Sequence, residues 1–131
     1  MASTVTTYLF VYGTLRRRAL EPAHELLARR ATLIGTGFFR GKLYDLGRYP
    51  GALASRDQSD RVLGEIYRLR RATAILQRLD DYEGELFKRR RMPIRFGAGK
   101  KSFAWVYLYR GQVKEAEWIR SGDYLEFLAR R

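Results

Sequence analysis

Two short stretches of the chain carry side chains that could do chemistry. One is acidic, Asp80-Asp81-Tyr82-Glu83-Gly84-Glu85, in an otherwise basic protein. The other is Tyr12-Gly13-Thr14-Leu15, followed by Arg16-Arg17-Arg18. Composition narrows what these groups would do. There is no cysteine, and His24 is the only histidine. Thiol nucleophiles, disulfide frameworks and Cys- or His-based metal sites are thereby excluded. There is no asparagine either, which excludes N-glycosylation and an Asn-assisted relay of the papain type. A Ser-His-Asp relay would have to run through His24, which reads as a solvated position on a short amphipathic helix. Acid–base work therefore falls on Asp, Glu, Lys or Tyr.

Each stretch has a bland reading beside the chemical one. Carboxylates at a helix C-terminus face the negative end of the helix dipole, at a small cost. Such a local conflict often marks a functional site. The cluster is equally an acidic turn paired with the Lys88 to Arg91 run. At Tyr12-Gly13-Thr14-Leu15 a buried strand ends on a glycine, which lets backbone approach a ligand closely. Successive N–H groups there could form a nest for an anion such as a carboxylate. Taken alone it is an ordinary strand-to-turn junction.

The elements that must position these groups follow from periodicity. Tyr8 to Tyr12 is an aromatic, β-branched run that predicts a buried strand. Glu21 to Arg30 predicts a helix, with Pro22 in its first turn. Thr32 to Leu46 is strand-like and interrupted by Gly35, Gly37 and Gly41, which suggests bulges or close backbone approach. Gly47 to Ala52 predicts a loop. Val62 to Leu69 alternates as a strand. Ala72 to Tyr82 sets Ile75, Leu76, Leu79 and Tyr82 on one helical face, and Gly84 stops it. Arg89 to Phe96 and Ser102 to Tyr109 predict a hairpin around Gly97 to Lys101. Asp123 can cap a helix over Tyr124 to Ala129. Five or six strands with two or three short helices predict an α+β domain: a small, mostly antiparallel β-barrel or curved sheet with flanking helices.

The 131 residues fit one domain, residues 1–131, and 46% hydrophobic content supplies a core. No signal peptide or membrane span is evident, and a cytoplasmic location is the expectation. The net charge of +12 comes in short clusters scattered along the chain. Such a field attracts anions, but no nucleic-acid motif accompanies it, and a specific nucleic-acid partner is not expected. Gly35-Thr36-Gly37-Phe38-Phe39-Arg40-Gly41 has the wrong spacing for a dinucleotide loop and precedes a strand. No cofactor, metal or membrane partner is expected, and oligomeric state is not legible.

Taken together, the segments resemble the γ-glutamyl cyclotransferase-like superfamily, in its γ-glutamylamine cyclotransferase and plant avirulence-induced-like branch. Tyr12-Gly13-Thr14-Leu15 resembles its opening motif. Gly41 to Gly47 with Tyr49-Pro50-Gly51, then Gly64-Glu65-Ile66-Tyr67, resemble its central segments. Leu79-Asp80-Asp81-Tyr82-Glu83-Gly84, followed by Arg89, resembles the segment with the family's essential glutamate, and Trp105-Val106-Tyr107 also fits. The similarity runs from Tyr8 to about Leu125. It implies a small β-barrel, Glu83 as catalytic acid/base, and Tyr12, Gly13, Thr14 and Leu15 as the grip on a small γ-glutamyl substrate. Tyr44, Arg89 and Tyr124 are further candidates for the pocket wall. Many relatives carry a tyrosine where this chain has Phe87.

The reaction so implied is cyclisation of a γ-glutamyl amine or amide to 5-oxoproline. For Glu83 to serve as base its pKa must rise. Burial beside Tyr82 and the charges of Asp80, Asp81 and Glu85 would raise it, and Arg89 and Arg90 would lower it. Glu65 is the competing carboxylate, expected as an outward or hydrogen-bonded strand residue. The alternatives are a catalytically silent ligand-binding module on the same fold and a basic nucleic-acid-binding domain.

Overall fold

The computed structural model of the chain describes residues 6–13, 29–97 and 99–130. The helix expected over Glu21 to Arg30 falls mostly outside these residues, as do His24, Thr14 and Leu15. Within them run β1 (Thr7–Val11), β2 (Ala31–Asp45), β3 (Pro50–Ala54), β4 (Arg61–Leu69), α1 (Ala72–Glu83), β5 (Phe87–Phe96), β6 (Lys100–Tyr109), β7 (Glu117–Ile119) and α2 (Tyr124–Ala129). Five strands close a barrel in the order β2-β4-β1-β6-β5, with β5 returning to β2. All its pairings are antiparallel except β1–β6, where Leu9 faces Trp105 in parallel. β3 and β7 extend the sheet from the far half of β2. The expected α+β barrel with flanking helices is therefore present.

β1 explains why an unbroken apolar run belongs here. Its residues alternate between two faces, and both faces are covered. Phe10 and Tyr12 point into the barrel with Phe39, Val62, Ile66 and Ile94. Leu9 and Val11 point outward beneath α1, against Ile75, Leu76 and Leu79. Those three helix residues are at most 6% exposed, and each such burial is worth roughly 1.5–3 kcal/mol. The spacing that predicts the helix is also the seam that docks it. Tyr82 departs from that seam: it is 42% exposed, one turn past the buried stripe.

Two further expectations need correction, and one strand was not anticipated. β2 is one strand through all three glycines. Its single irregularity falls between Leu33 and Gly35, which leaves Ile34 outside, 39% exposed. A Cβ at Gly37 would come within 2.5 Å of the Arg95 carbonyl, so close approach, not interruption, is the reason for that glycine. Pro50 to Ala52, expected in a loop, begins β3; Asp45 and Pro50 are opposite each other, and only Leu46 to Tyr49 form the turn. β7 carries no sequence signal, being three residues long. Its place is set by pairing with Leu43, Tyr44 and Asp45.

No helix among the described residues is long and apolar enough to cross a membrane.

Candidate functional site

The C-terminus of β1, the C-terminus of α1, the start of β5 and the β2–β3 turn meet at one end of the barrel. Between them lies a cavity of about 330 Å³. Its wall includes Tyr12 and Gly13 from the end of β1, Glu83 from α1, Phe87 from β5 and Tyr107 from β6. Arg48 and Tyr49 of the β2–β3 turn and Pro50 at the start of β3 cover it, and Tyr82 borders it beside Glu83. The volume sits at the small end of the roughly 300–1,000 Å³ usual for small-molecule sites.

Local chemistry fixes each wall element. α1 ends because Gly84 takes a positive φ of 78°, with its N–H donating to the Asp80 carbonyl at 3.0 Å. That stop leaves Glu83 as the last helical residue, at the cavity. At Gly13 an added Cβ would sit 2.8 Å from Pro50 Cγ. Only glycine lets the β2–β3 turn close this near the end of β1. The turn is held by the Leu46 N–H donating to the Tyr49 carbonyl at 3.0 Å, and by the Gly47 N–H donating to Asp45 Oδ1 at 2.9 Å. Phe87 stands between Tyr49 and Tyr109, its ring 5.7 and 5.6 Å from theirs. The position where a phenol was missed is thus part of an aromatic wall.

Glu83 is half-buried, and burial pushes its pKa from 4.5 to about 7. The cause is desolvation of the charged form. The expected contribution from neighbouring acids is not among its causes, and Asp80 is engaged elsewhere. Arg89 donates to both Asp80 oxygens, at 2.9 and 3.1 Å. The Tyr107 hydroxyl donates to Asp80 Oδ1 at 2.6 Å. These contacts hold the Asp80 carboxyl below its ordinary range, with the Arg89 bonds the largest cause. Arg89 also lies 4.5 Å over the Trp105 ring. Its guanidinium is committed to this clamp, which ties the last turn of α1 to β5 and β6.

Tyr12 is a brace as well as a wall. Its buried hydroxyl donates to the Tyr107 carbonyl and accepts from the Ala52 N–H at 3.2 Å. Burial, then the nearby charge of Glu83, pushes the phenol pKa far above its ordinary value. Its one proton is spent on backbone.

Of the residues singled out in the sequence, Tyr12, Gly13 and Glu83 are brought together at the cavity. Arg89, Tyr44 and Tyr124 are not among its wall residues. Arg89 clamps Asp80, Tyr44 sits in β2 opposite Gly51 and Trp118, and Tyr124 is buried in the barrel core. Thr14 and Leu15 lie outside the described residues. Glu65 is buried and accepts from the Tyr67 hydroxyl at 3.1 Å. It is the hydrogen-bonded strand residue of the two options, not an outward one, and the cavity wall does not include it. Sequence reasoning left out Arg48, Pro50 and Tyr107. Pro50 and Tyr107 stand out in sequence only within the family-like Tyr49-Pro50-Gly51 and Trp105-Val106-Tyr107 segments, a loop and a strand, with no sign of a place at the cavity.

The arrangement offers one ionisable carboxyl, poised to gain or lose a proton near neutrality, inside an aromatic wall beside a glycine turn. Among the described residues no group of three acidic or histidine side chains is placed to hold a metal ion.

Known proteins with the same build are several. The Escherichia coli gamma-glutamylcyclotransferase family protein YtfP is 34% identical over 120 residues, which span 90% of this chain and 96% of its own. Its solution structure superposes with a TM-score of 0.62 at 33% identity, covering 92% of this chain and 98% of that one. The crystal structure of a mouse AIG2-like protein gives a TM-score of 0.68 at 25% identity, over 86% and 82% of the two chains. A Pyrococcus horikoshii protein shares the fold at a TM-score of 0.73 and 21% identity, over 95% and 94%. Residues 9–126 match the family described as gamma-glutamyl cyclotransferase, AIG2-like. With that match spanning nearly the whole described barrel, the chain belongs to the AIG2-like gamma-glutamyl cyclotransferase family.

Proposed function

We propose that the protein cyclises a γ-glutamyl amine or amide to 5-oxoproline, releasing the amine, with Glu83 carrying the proton. The observation that bears most weight is the half-buried Glu83 carboxyl titrating at about 7 in the cavity wall. In the reaction the substrate's α-amine nitrogen attacks its own γ-carbonyl carbon. A new C–N bond closes the ring, and the original amide C–N bond breaks. Glu83 takes a proton from the attacking amine, which itself titrates near about 7.7–8.0, and returns one to the leaving amine. The two acidities are close enough for transfer in either direction.

The reaction is intramolecular, so a folded-back pose is the main demand on the site. Orientation of this kind can be worth roughly 7–11 kcal/mol. In this reading the Gly13 backbone holds the α-carboxylate, and Thr14 and Leu15, which lie outside the described residues, belong to the same grip. The Tyr12 phenol contributes shape only, since its proton is used within the fold. The Tyr49–Phe87 wall and Arg48 then face the leaving amine. That arrangement favours an apolar or aromatic amine, with an anionic group tolerated near Arg48.

The test is to incubate the purified protein with a panel of γ-glutamyl amines and γ-glutamyl amino acids and measure 5-oxoproline. Turnover of at least one class is expected. Saturable binding of 5-oxoproline with no turnover of any panel member would overturn the enzymatic reading and leave a binding module.

A further inference from the structure

A second cavity opens in the barrel wall, and it shares no wall residue with the first. Its origin is the closing seam of the barrel. β2 and β5 pair only at Gly37–Phe96 and Phe38–Arg95, and beyond these β2 runs on beside β3. The strands part, and a cleft of about 600 Å³ remains between them. Its lining includes the apolar side chains of Phe38, Phe39, Met92 and Pro93. Its rim carries four cations, Arg40, Arg61, Arg95 and Lys101.

Register explains why these four converge. Arg40 is opposite Arg61 across β2–β4, and Arg95 is opposite Lys101 across β5–β6. Directly opposed side chains share a face of the sheet, and like charges in that position repel. Two such pairs flank one cleft, and the carboxylate close enough to act on them, Asp57 near Arg40, offsets only part of that local cost. Among the described residues none of the four is in an ion pair. Asp60, the acid of the cleft, is taken by the Ser55 hydroxyl at 2.7 Å and by Lys42 at 3.9 Å.

Cations also lie over aromatic rings on the strands around this cleft. The Arg61 guanidinium lies 4.6 Å over Phe38. Next along the hairpin, Pro93 is opposite Phe103, which is 53% exposed and has Arg91 at 5.3 Å. The Trp118 ring carries Lys42 at 4.9 Å and Arg120 at 4.3 Å. Exposed ring and guanidinium planes of this kind suit unstacked bases and not bases stacked within a duplex.

We propose that this seam binds single-stranded nucleic acid without sequence preference, with the rim cations on phosphates and the aromatic and guanidinium planes against bases. The net charge of +12 supports the encounter at long range. The seam supplies the place.

The experiment is fluorescence anisotropy with a labelled oligothymidylate of about 12 nucleotides, within the usual site size of about 4–16. Four phosphate contacts give a slope of log affinity on log salt of about −3, or a roughly fifty-fold loss between about 50 and 200 mM salt. Arg40→Glu with Arg61→Glu, and separately Arg95→Glu with Lys101→Glu, are each expected to weaken binding about tenfold or more. A control pair, Arg78→Glu with Lys114→Glu, makes the same change in net charge at exposed positions away from the seam, and is expected to weaken it far less. Thermal unfolding checks that each variant is folded. No binding at about 50 mM salt, or equal loss in the control pair, would overturn the proposal. So would duplex DNA or inorganic polyphosphate binding as tightly as the oligonucleotide, since neither offers free bases.

Discussion

Asp80 and Glu83 stand three residues apart on one helix, and their surroundings drive them in opposite directions. Asp80 looks toward β5 and β6, where Arg89 and Tyr107 supply three hydrogen bonds to the charged form. Its acidity increases. Glu83 looks into a cavity of rings and backbone, where burial alone acts on it, and its acidity falls to about 7. The acidic cluster is therefore two devices. One carboxyl stays ionised and fastens the helix; the other changes charge near neutrality at the place where a ligand would sit. Opposite displacement of neighbouring titratable groups is the pattern by which environment sets two carboxyls to different tasks.

The sharpest way to break this contrast is Glu83→Gln. Turnover to 5-oxoproline should fall by about 10²–10⁴ with the fold intact. Near-normal turnover would remove Glu83 from the chemistry. The pH dependence comes next. With the carboxylate as base, kcat/KM should rise about tenfold per pH unit and level off above about 7. Stability should move the other way. The native state holds the Glu83 proton that the unfolded chain has released, so the free energy of unfolding should decline between 4.5 and about 7 and then flatten. Urea titrations across that window should lose this decline in Glu83→Gln.

Asp80→Asn tests the other half of the comparison. It removes the charge that holds Arg89, and should cost about 1 kcal/mol, since the clamp is partly exposed. Turnover should fall about tenfold through misplacement of Glu83, while the pH midpoint stays near 7. A collapse as deep as that of Glu83→Gln would mean that the two carboxyls act as a coupled pair. Tyr12→Phe should have the smallest effect on turnover, a few-fold at most. It should still cost about 1–3 kcal/mol of stability, because the Ala52 N–H and Tyr107 carbonyl lose a buried partner.

Much of the frame was legible because it rests on local pattern. The Tyr8 to Tyr12 run, the Ile75-Leu76-Leu79 stripe, the Gly84 stop and the hairpin around Gly97 all carry their signal within a dozen residues. Asp123 capping α2, by accepting from the Leu125 and Glu126 N–H groups, is of the same kind. What sequence leaves out is pairing across distance. Nothing near Arg89 says that it holds Asp80 and not a substrate, and nothing near Tyr12 says that its proton goes to residue 107. Pro50 and Gly51 carry turn chemistry, yet Pro50 starts a strand at the sheet's margin, where a missing N–H is tolerated. At the candidate site the residue types were readable and their obligations to one another were not.

The position of β1 has a consequence for the nascent chain. This first strand is flanked by β4 and β6, whose residues leave the ribosome long after it. Leu9, Phe10, Val11 and Tyr12 belong to two different cores, and neither exists until Trp105 has been made. During synthesis at roughly 5–20 residues per second, an apolar segment therefore waits several seconds with both faces and at least one edge uncovered. A chain interrupted before β6 would keep that segment available for pairing with other chains, which makes β1 the place where chaperone capture or early aggregation of this barrel should begin.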